Sequence, residues 1–173
     1  MRNEEIEELD RGVVDSFLSF KLDDEFFGVD VKKVIEILEV PGITRIPLAP
    51  DYMAGIINLR GKVLPLIDTK IKFGLDPIEF AVDTCIIVIE IEVEGEVLQI
   101  GTLVDSVQEV LEIPESEIQP SPSIEAKYKL EFIRGMIRKE DDFIMLLDLD
   151  EVFSIQDVMY MQEAHDSVSE KKK

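Results

Sequence analysis

The chain has 173 residues, 46% of them apolar, with nine Phe, three Tyr and no Trp, enough for one compact domain or two half-size subdomains packed together. Its net charge of −20 repels phosphate backbones and anionic lipid, which argues against nucleic acid and membrane surfaces as partners. A single cysteine excludes an internal disulfide and a multi-cysteine metal cage.

Residues 1–12 are polar and acidic, with only Ile6 and Leu9 suited to packing, and read as a flexible arm. The opening Met1-Arg2-Asn3-Glu4-Glu5 lacks the basic-then-apolar pattern of an export signal. No apolar run approaches the roughly 20 residues that span a bilayer, so a cytoplasmic location is expected. Leu18, Phe20 and Leu22 alternate with Ser19 and Lys21, the two-residue period of a half-buried strand. Asp23-Asp24-Glu25 turns the chain and Phe26-Phe27 return it, a hairpin. Asp30 is placed to cap a short helical turn over 31–34, and the β-branched run from Val34 to Val40 predicts a strand. Pro41-Gly42 and the Pro47–Pro50 stretch mark loops. One helical turn is expected over 51–54. Two strands then flank the tip Arg60-Gly61, where glycine supplies the positive φ of a tight turn. Pro65 predicts an edge or a bulge.

A second hairpin covers 85–100, with Ile89, Ile91 and Val93 alternating with Glu90, Glu92 and Glu94 before the turn Glu94-Gly95. Cys85 opens its apolar run and reads as an inert buried thiol. Residues 115–130 form a long loop. Leu149, Val152, Phe153 and Val158 predict a helix that reaches Met161.

The sequence repeats itself. Gly28, Val31, Val34, Glu36, Glu39 and Pro41 return as Gly101, Val104, Val107, Glu109, Glu112 and Pro114, a constant 73 positions on (28 to 101, 41 to 114). Gly55-Ile56-Ile57 and the strand ending at Asp68 return 80 positions on, as Gly135-Met136-Ile137 and the strand ending at Asp148. Five short strands per copy with little helix predict an all-β fold of two small barrels side by side. The expected divisions are the arm over 1–12, a first barrel over 13–80, a second over 81–148, a helix over 149–162 and a disordered tail over 163–173. Whether the first strand completes its own barrel or its neighbour's is left open.

No catalytic set stands out. His165 is the only histidine and lies in the polar C-terminal stretch, and no glycine-rich phosphate loop is present. Asp68, Asp148 and Asp150 suggest an acidic, metal-dependent hydrolase as an alternative, but Asp68 and Asp148 are the same position in two copies and read more simply as caps. No metal or cofactor is expected. The copies differ at one hairpin tip, Asn58-Leu59-Arg60-Gly61-Lys62 against Arg138-Lys139-Glu140-Asp141-Asp142. An arginine fork at a tip suits a protein interface.

Thr44-Arg45-Ile46-Pro47 and Gly55-Ile56-Ile57-Asn58-Leu59-Arg60-Gly61-Lys62-Val63-Leu64-Pro65-Leu66-Ile67-Asp68 resemble the signature of the bacterial chemotaxis coupling family, CheW. Gly28-Val29-Asp30, Val34-x-Glu36-Ile37 and Val104-Asp105-x-Val107 also fit, and the match covers about residues 15–155. The resemblance implies two five-stranded SH3-like barrels and a non-enzymatic adaptor. It implies two partners, the cytoplasmic tip of chemoreceptors and the regulatory domain of the histidine kinase CheA, and recruitment to membrane arrays through them. By matching position it implies a receptor-facing set of Val34, Glu36, Ile37, Ile43, Thr44, Gly55, Asn58 and Arg60. It assigns no kinase-facing residues. A related adaptor serving a non-chemotactic kinase fits the same signature.

Overall fold

The computed structural model describes residues 14–120 and 132–171; the expected N-terminal arm and much of the expected long loop lie outside them. Ten strands are described: β1 (Val14–Leu22), β2 (Glu25–Asp30), β3 (Val34–Glu39), β4 (Met53–Leu59), β5 (Lys62–Asp68), β6 (Cys85–Val93), β7 (Glu96–Val104), β8 (Ser106–Pro114), β9 (Ile133–Lys139) and β10 (Asp142–Leu147). Three α-helices are described: α1 (Thr69–Lys72) after β5, α2 (Leu149–Val152) after β10, and α3 (Ile155–Lys171) after α2. Asp30 caps a 3-10 turn over Val31–Lys33 by accepting from Lys32 N, as expected.

The strands form two five-stranded sheets, ordered β8-β1-β2-β10-β9 and β3-β6-β7-β5-β4. In repeat terms the two orders are identical, since β1 to β5 correspond to β6 to β10. Each sheet takes its opening hairpin from one copy and its last three strands from the other. The expected boundary between residues 80 and 81 therefore does not separate the sheets. One barrel is a continuous stretch, β3 to β7; the other is split, built from β1 and β2 with β8 to β10. Parallel pairings join the copies, β2 with β10 through Gly28↔Leu146 and β7 with β5 through Gly101↔Leu66.

Each sheet curls until its ends meet. After β3, Thr44 exchanges two backbone hydrogen bonds with Ile56 on β4 (3.0 and 2.8 Å). After β8, Gln119 does the same with Met136 on β9 (2.8 Å each). The residue before each β4 or β9 partner is glycine. A Cβ on Gly55, whose φ is +149°, would lie 2.4 Å from the Thr44 carbonyl oxygen, and one on Gly135 would lie 2.8 Å from that of Gln119. The repeated glycines mark where each barrel closes.

The described residues form three apolar cores. Ile57, Leu64, Leu66, Ile86, Val88 and Leu103 fill the continuous barrel, and Phe17, Ile113, Ile137, Ile144 and Leu146 fill the split one. The largest core lies between them and includes stacked Phe20 and Phe27 (5.8 Å between centroids) and stacked Phe73 and Phe132 (5.1 Å). Strand β1 is thus buried on both faces, not one: Leu18, Phe20 and Leu22 enter the shared core while Phe17 enters the split barrel. Ser19 is buried too because its hydroxyl donates to the Glu109 carbonyl (2.9 Å). Pro65 lies on an interior strand rather than an edge; it pairs with Ile56, and the β5–β7 ladder begins one residue later. Residues 51–54 make a turn into β4, not a helical turn, because Met53 and Gly55 already pair with β5.

The expected single helix over 149–162 is two helices broken at Phe153-Ser154, and the second continues through the expected disordered tail to Lys171. Ser154 and Asp157 cap its start reciprocally: Asp157 N–H donates to Ser154 Oγ (3.1 Å) and Ser154 N–H to Asp157 Oδ2 (2.9 Å). Val158, Met161 and Ala164 bury against the shared core; each fully buried large side chain contributes about 1.5–3 kcal/mol. Asp157 also fixes the helix to the continuous barrel, accepting from Tyr52 Oη (2.7 Å) and from Lys72 Nζ (2.8 Å), which lies 4.4 Å from the Tyr52 ring centroid. Burial pushes the Asp157 carboxyl up, but the hydrogen bonds from Lys72, the Ser154 N–H and Tyr52 outweigh it and hold the group below its ordinary 3.8.

Replacing Gly55 with Ala is expected to lower stability by about 2 kcal/mol or more, the scale of strain at a special backbone site. Urea unfolding reads it, and an unshifted midpoint would show that closure tolerates a Cβ. The Asp157 clamp is expected to weaken with acid. Because its folded value is depressed, its stabilisation is complete above the ordinary value and drains as pH falls below 3.8 through the folded value. The helical signal of parent and Asp157→Asn proteins, titrated side by side, should differ at neutral pH and converge in acid. Parallel curves would remove Asp157 as the clamp.

Candidate functional site

The closure of the continuous barrel brings β3 and β4, the two ends of its strand order, against each other. The site forms on that seam. Arg60 stands at the first turn position between β4 and β5, at φ +52° with Gly61 at +83°, the left-handed pair of a type I′ hairpin. Asn58 holds the turn by accepting from the Gly61 N–H (2.9 Å). From there the Arg60 guanidinium reaches across to Glu36 on β3 in a two-pronged pair, Nη1 to Oε2 at 3.0 Å and Nη2 to Oε1 at 3.1 Å. The Arg60 side chain is 76% exposed and that of Glu36 23%, so the carboxylate anchors the fork while most of it faces solvent.

The other residues of the expected set fall into two groups. Ile37 and Thr44 are exposed, and Asn58 beside the turn is exposed as well. Val34 is half-buried against the shared core and Ile43 against the core of the continuous barrel. Gly55 is buried, and the backbone approaching it is the chain's own Thr44 carbonyl. Along β3 exposure alternates: Val34, Glu36 and Leu38 are half-buried while Ile35, Ile37 and Glu39 are exposed. Ile37 therefore projects from the opposite face of β3 to Glu36. A bulge between Val34 and Glu36, where the register with β6 shifts, bends the strand there.

The second barrel carries a related seam that the sequence comparison of tips did not reveal. Lys139 at the end of β9 forms an ion pair with Glu109, the repeat mate of Glu36. The cation comes from one position before the mate of Arg60, and the mate itself, Glu140, takes the left-handed turn position at φ +55°. The signal that could have found this pair was the 73-residue repeat of the glutamate.

The three aspartates considered for metal-dependent hydrolysis are engaged separately. Asp68 accepts from the N–H groups of Ile71 and Ile78 (3.2 and 3.0 Å). Asp148 accepts from Asp150 N–H (3.2 Å). Asp150 pairs with Lys33 (2.8 Å) and accepts from Glu92 N–H (2.9 Å). The Asp150 hydrogen bond is the main cause of the raised Lys33 ammonium. Among the described residues no three His, Cys, Asp or Glu side chains converge on a metal-sized site. Burial raises the Cys85 thiol above its ordinary value, which keeps it protonated and unreactive at neutral pH. No described helix is long and apolar enough to cross a membrane.

Comparison with known proteins bears on this seam. Residues 16–157 match the sequence model of the CheW-like domain. The chain is 36% identical to chemotaxis protein CheW of Rhizobium meliloti (strain 1021) over 136 residues, covering 79% of this chain and 85% of that protein. It is 31% identical over 142 residues to chemotaxis protein CheW of Klebsiella aerogenes, covering 82% and 83% of the two chains. Among solved structures it resembles the scaffolding protein TtCheW from Thermoanaerobacter tengcongensis, at 34% identity and a TM-score of 0.71, over 83% of this chain and 90% of that one.

The geometry separates the roles of two neighbouring side chains in stability. Arg60→Ala should change unfolding free energy by no more than about 0.5–1 kcal/mol, as for an exposed ion pair. Asn58→Ala, which leaves the Gly61 N–H without its partner, should cost about 1 kcal/mol. Chemical denaturation of both variants checks the order; the reverse order would make the ion pair, not the capped turn, the structural element.

Proposed function

The chain belongs to the CheW-like domain family, and from that premise we propose that it couples chemoreceptors to the histidine kinase CheA. It is a scaffold protein of chemotaxis signalling and not an enzyme. The receptor's cytoplasmic tip is the partner of the seam, and the kinase's regulatory domain is the second partner. The protein works in the cytoplasm and reaches membrane arrays only through these contacts.

The observation that carries this reading is the Glu36–Arg60 pair. A guanidinium that is mostly in solvent, yet fixed in direction by a two-pronged carboxylate, is organised for a partner before the partner arrives. Less side-chain entropy is then lost on binding. Thr44 extends the surface with a hydroxyl contact, Ile37 offers an apolar contact from the other face of β3, and Asn58 keeps the turn in shape. Val34, Ile43 and Gly55 act from beneath, by fixing the strands that carry the exposed residues.

Reconstitution with purified receptor fragment and kinase tests this. Arg60→Ala should weaken receptor binding by about tenfold, the loss expected for a well-placed interfacial arginine, and lower receptor-dependent kinase activity, with the melting temperature almost unchanged. Binding and activation equal to the parent would exclude Arg60 from the receptor contact. A parent protein that gives no receptor-dependent activity at all would overturn the coupling role.

A further inference from the structure

We propose that a second groove on the continuous barrel, away from the Arg60 tip, receives a short basic segment of a partner protein through apolar anchor residues. The groove encloses 480 Å³ between the loop that follows β3 and the link from α1 to β6. Its walls include Ile43, Ile46, Met53, Ile71, Pro77 and Phe80. The link is held open as a wall because Ile78 is buried and its N–H is tied to Asp68 Oδ2 at 3.0 Å.

The link exposes apolar side chains that the fold does not use: Phe80, which lines the groove, is 59% exposed, and Val82 beyond it 96%. Ala49 and Pro50 line the groove from the opposite loop. Leu48, on the same loop, is wholly in solvent but faces a neighbouring hollow against α3, with Tyr52, Asp157 and Tyr160. An apolar side chain presented to water gives the isolated chain nothing, whereas the same side chain covered by a partner is useful.

Charge selects the occupant. Asp51 lines the groove, and Asp76, Glu79 and Asp83 stand exposed along the link. Among the described residues none of these four has an ion-pair partner. Arg45 is the only lining residue with positive charge. The chain's net charge of −20 opposes a second copy at this face and draws a cationic segment towards it. Ile43 is common to this groove and the proposed receptor set; Phe80 belongs to the groove alone, so it separates the two surfaces.

The probe is a fluorescein-labelled, lysine-rich peptide carrying two leucines one helical turn apart, measured by anisotropy at physiological ionic strength. Binding should weaken about tenfold in Phe80→Ser, and stay at the parent level in Arg60→Ala and in Leu48→Gly, which alters only the neighbouring hollow. Because Phe80 is mostly in solvent, Phe80→Ser should melt close to the parent, which separates lost contact from lost folding. Amide shift changes should cluster at residues 43–54 and 76–83. The proposal is overturned if Phe80→Ser binds like the parent, if the shifts lie elsewhere, if serines in place of the peptide leucines leave binding intact, or if a glutamate-rich counterpart binds as well.

Discussion

Two glycines decide the surface of this protein. Gly55 and Gly135 let a strand and a returning loop approach until backbone carbonyl and N–H groups pair, and a Cβ at either place would overlap the carbonyl oxygen of Thr44 or Gln119. That approach turns a curled sheet into a closed barrel, which removes the edges that an open sheet would offer to other chains. It also creates the seam on which Arg60 meets Glu36 and Lys139 meets Glu109. The ion pairs are consequences of closure rather than its cause, since an exposed pair contributes only about 0–1 kcal/mol.

The exchange of opening hairpins makes the two barrels one body. Strands β5, β6 and β7 belong to the continuous barrel, yet Ile67, Ile87, Ile89, Ile91 and Ile100 face the shared core with Phe20, Phe27 and Leu147 of the split barrel. Polar ties follow the same border. The Lys70 side chain, on α1, is almost wholly buried, and its ammonium pairs with Asp23 at the β1–β2 turn (2.6 Å). Burial lowers the Lys70 value, but the Asp23 bond and the neighbouring carboxylates outweigh it and raise the group overall. Lys33 and Asp150 join the first copy to α2 of the second. Moving one barrel relative to the other would open the largest core and strand a buried charge.

The repeat was legible because the residues that close and turn the chain are few and chemically fixed: Gly55 with Gly135, Asp68 with Asp148, Glu36 with Glu109. Strand positions followed from alternating apolar residues and β-branched runs, and the seam residues followed from the family signature. Which copy completes which barrel was not legible, because a repeat reports common ancestry and both connections keep the same strand order. The face of β1 was misread because Ser19, polar in sequence, satisfies its hydroxyl on the Glu109 carbonyl inside the fold. The C-terminal helix was cut short because its later residues are polar. Its docking depends on Tyr52 and Lys72, more than 80 positions from Asp157, and no local pattern announces such a contact. The Ser154-x-x-Asp157 cap is a local start signal that the reading of one helix over 149–162 passed over.

The difference between the copies is finer than the presence or absence of a cation. Both seams join a cation near the hairpin tip to a repeated glutamate, so the pair belongs to the duplicated architecture. What differs is the group and its support. Arg60 offers a planar fork that a carboxylate can orient from one side while the remaining N–H groups stay available. Lys139 offers a compact charge with no fixed direction, on a hairpin whose left-handed position falls to Glu140. An orienting pair can serve recognition of a particular partner, and a point charge can serve only attraction. Duplication thus preserved the closure and left the tips free to diverge. The asymmetry of the two seams follows from one guanidinium beside a glycine turn, placed where the barrel ends meet.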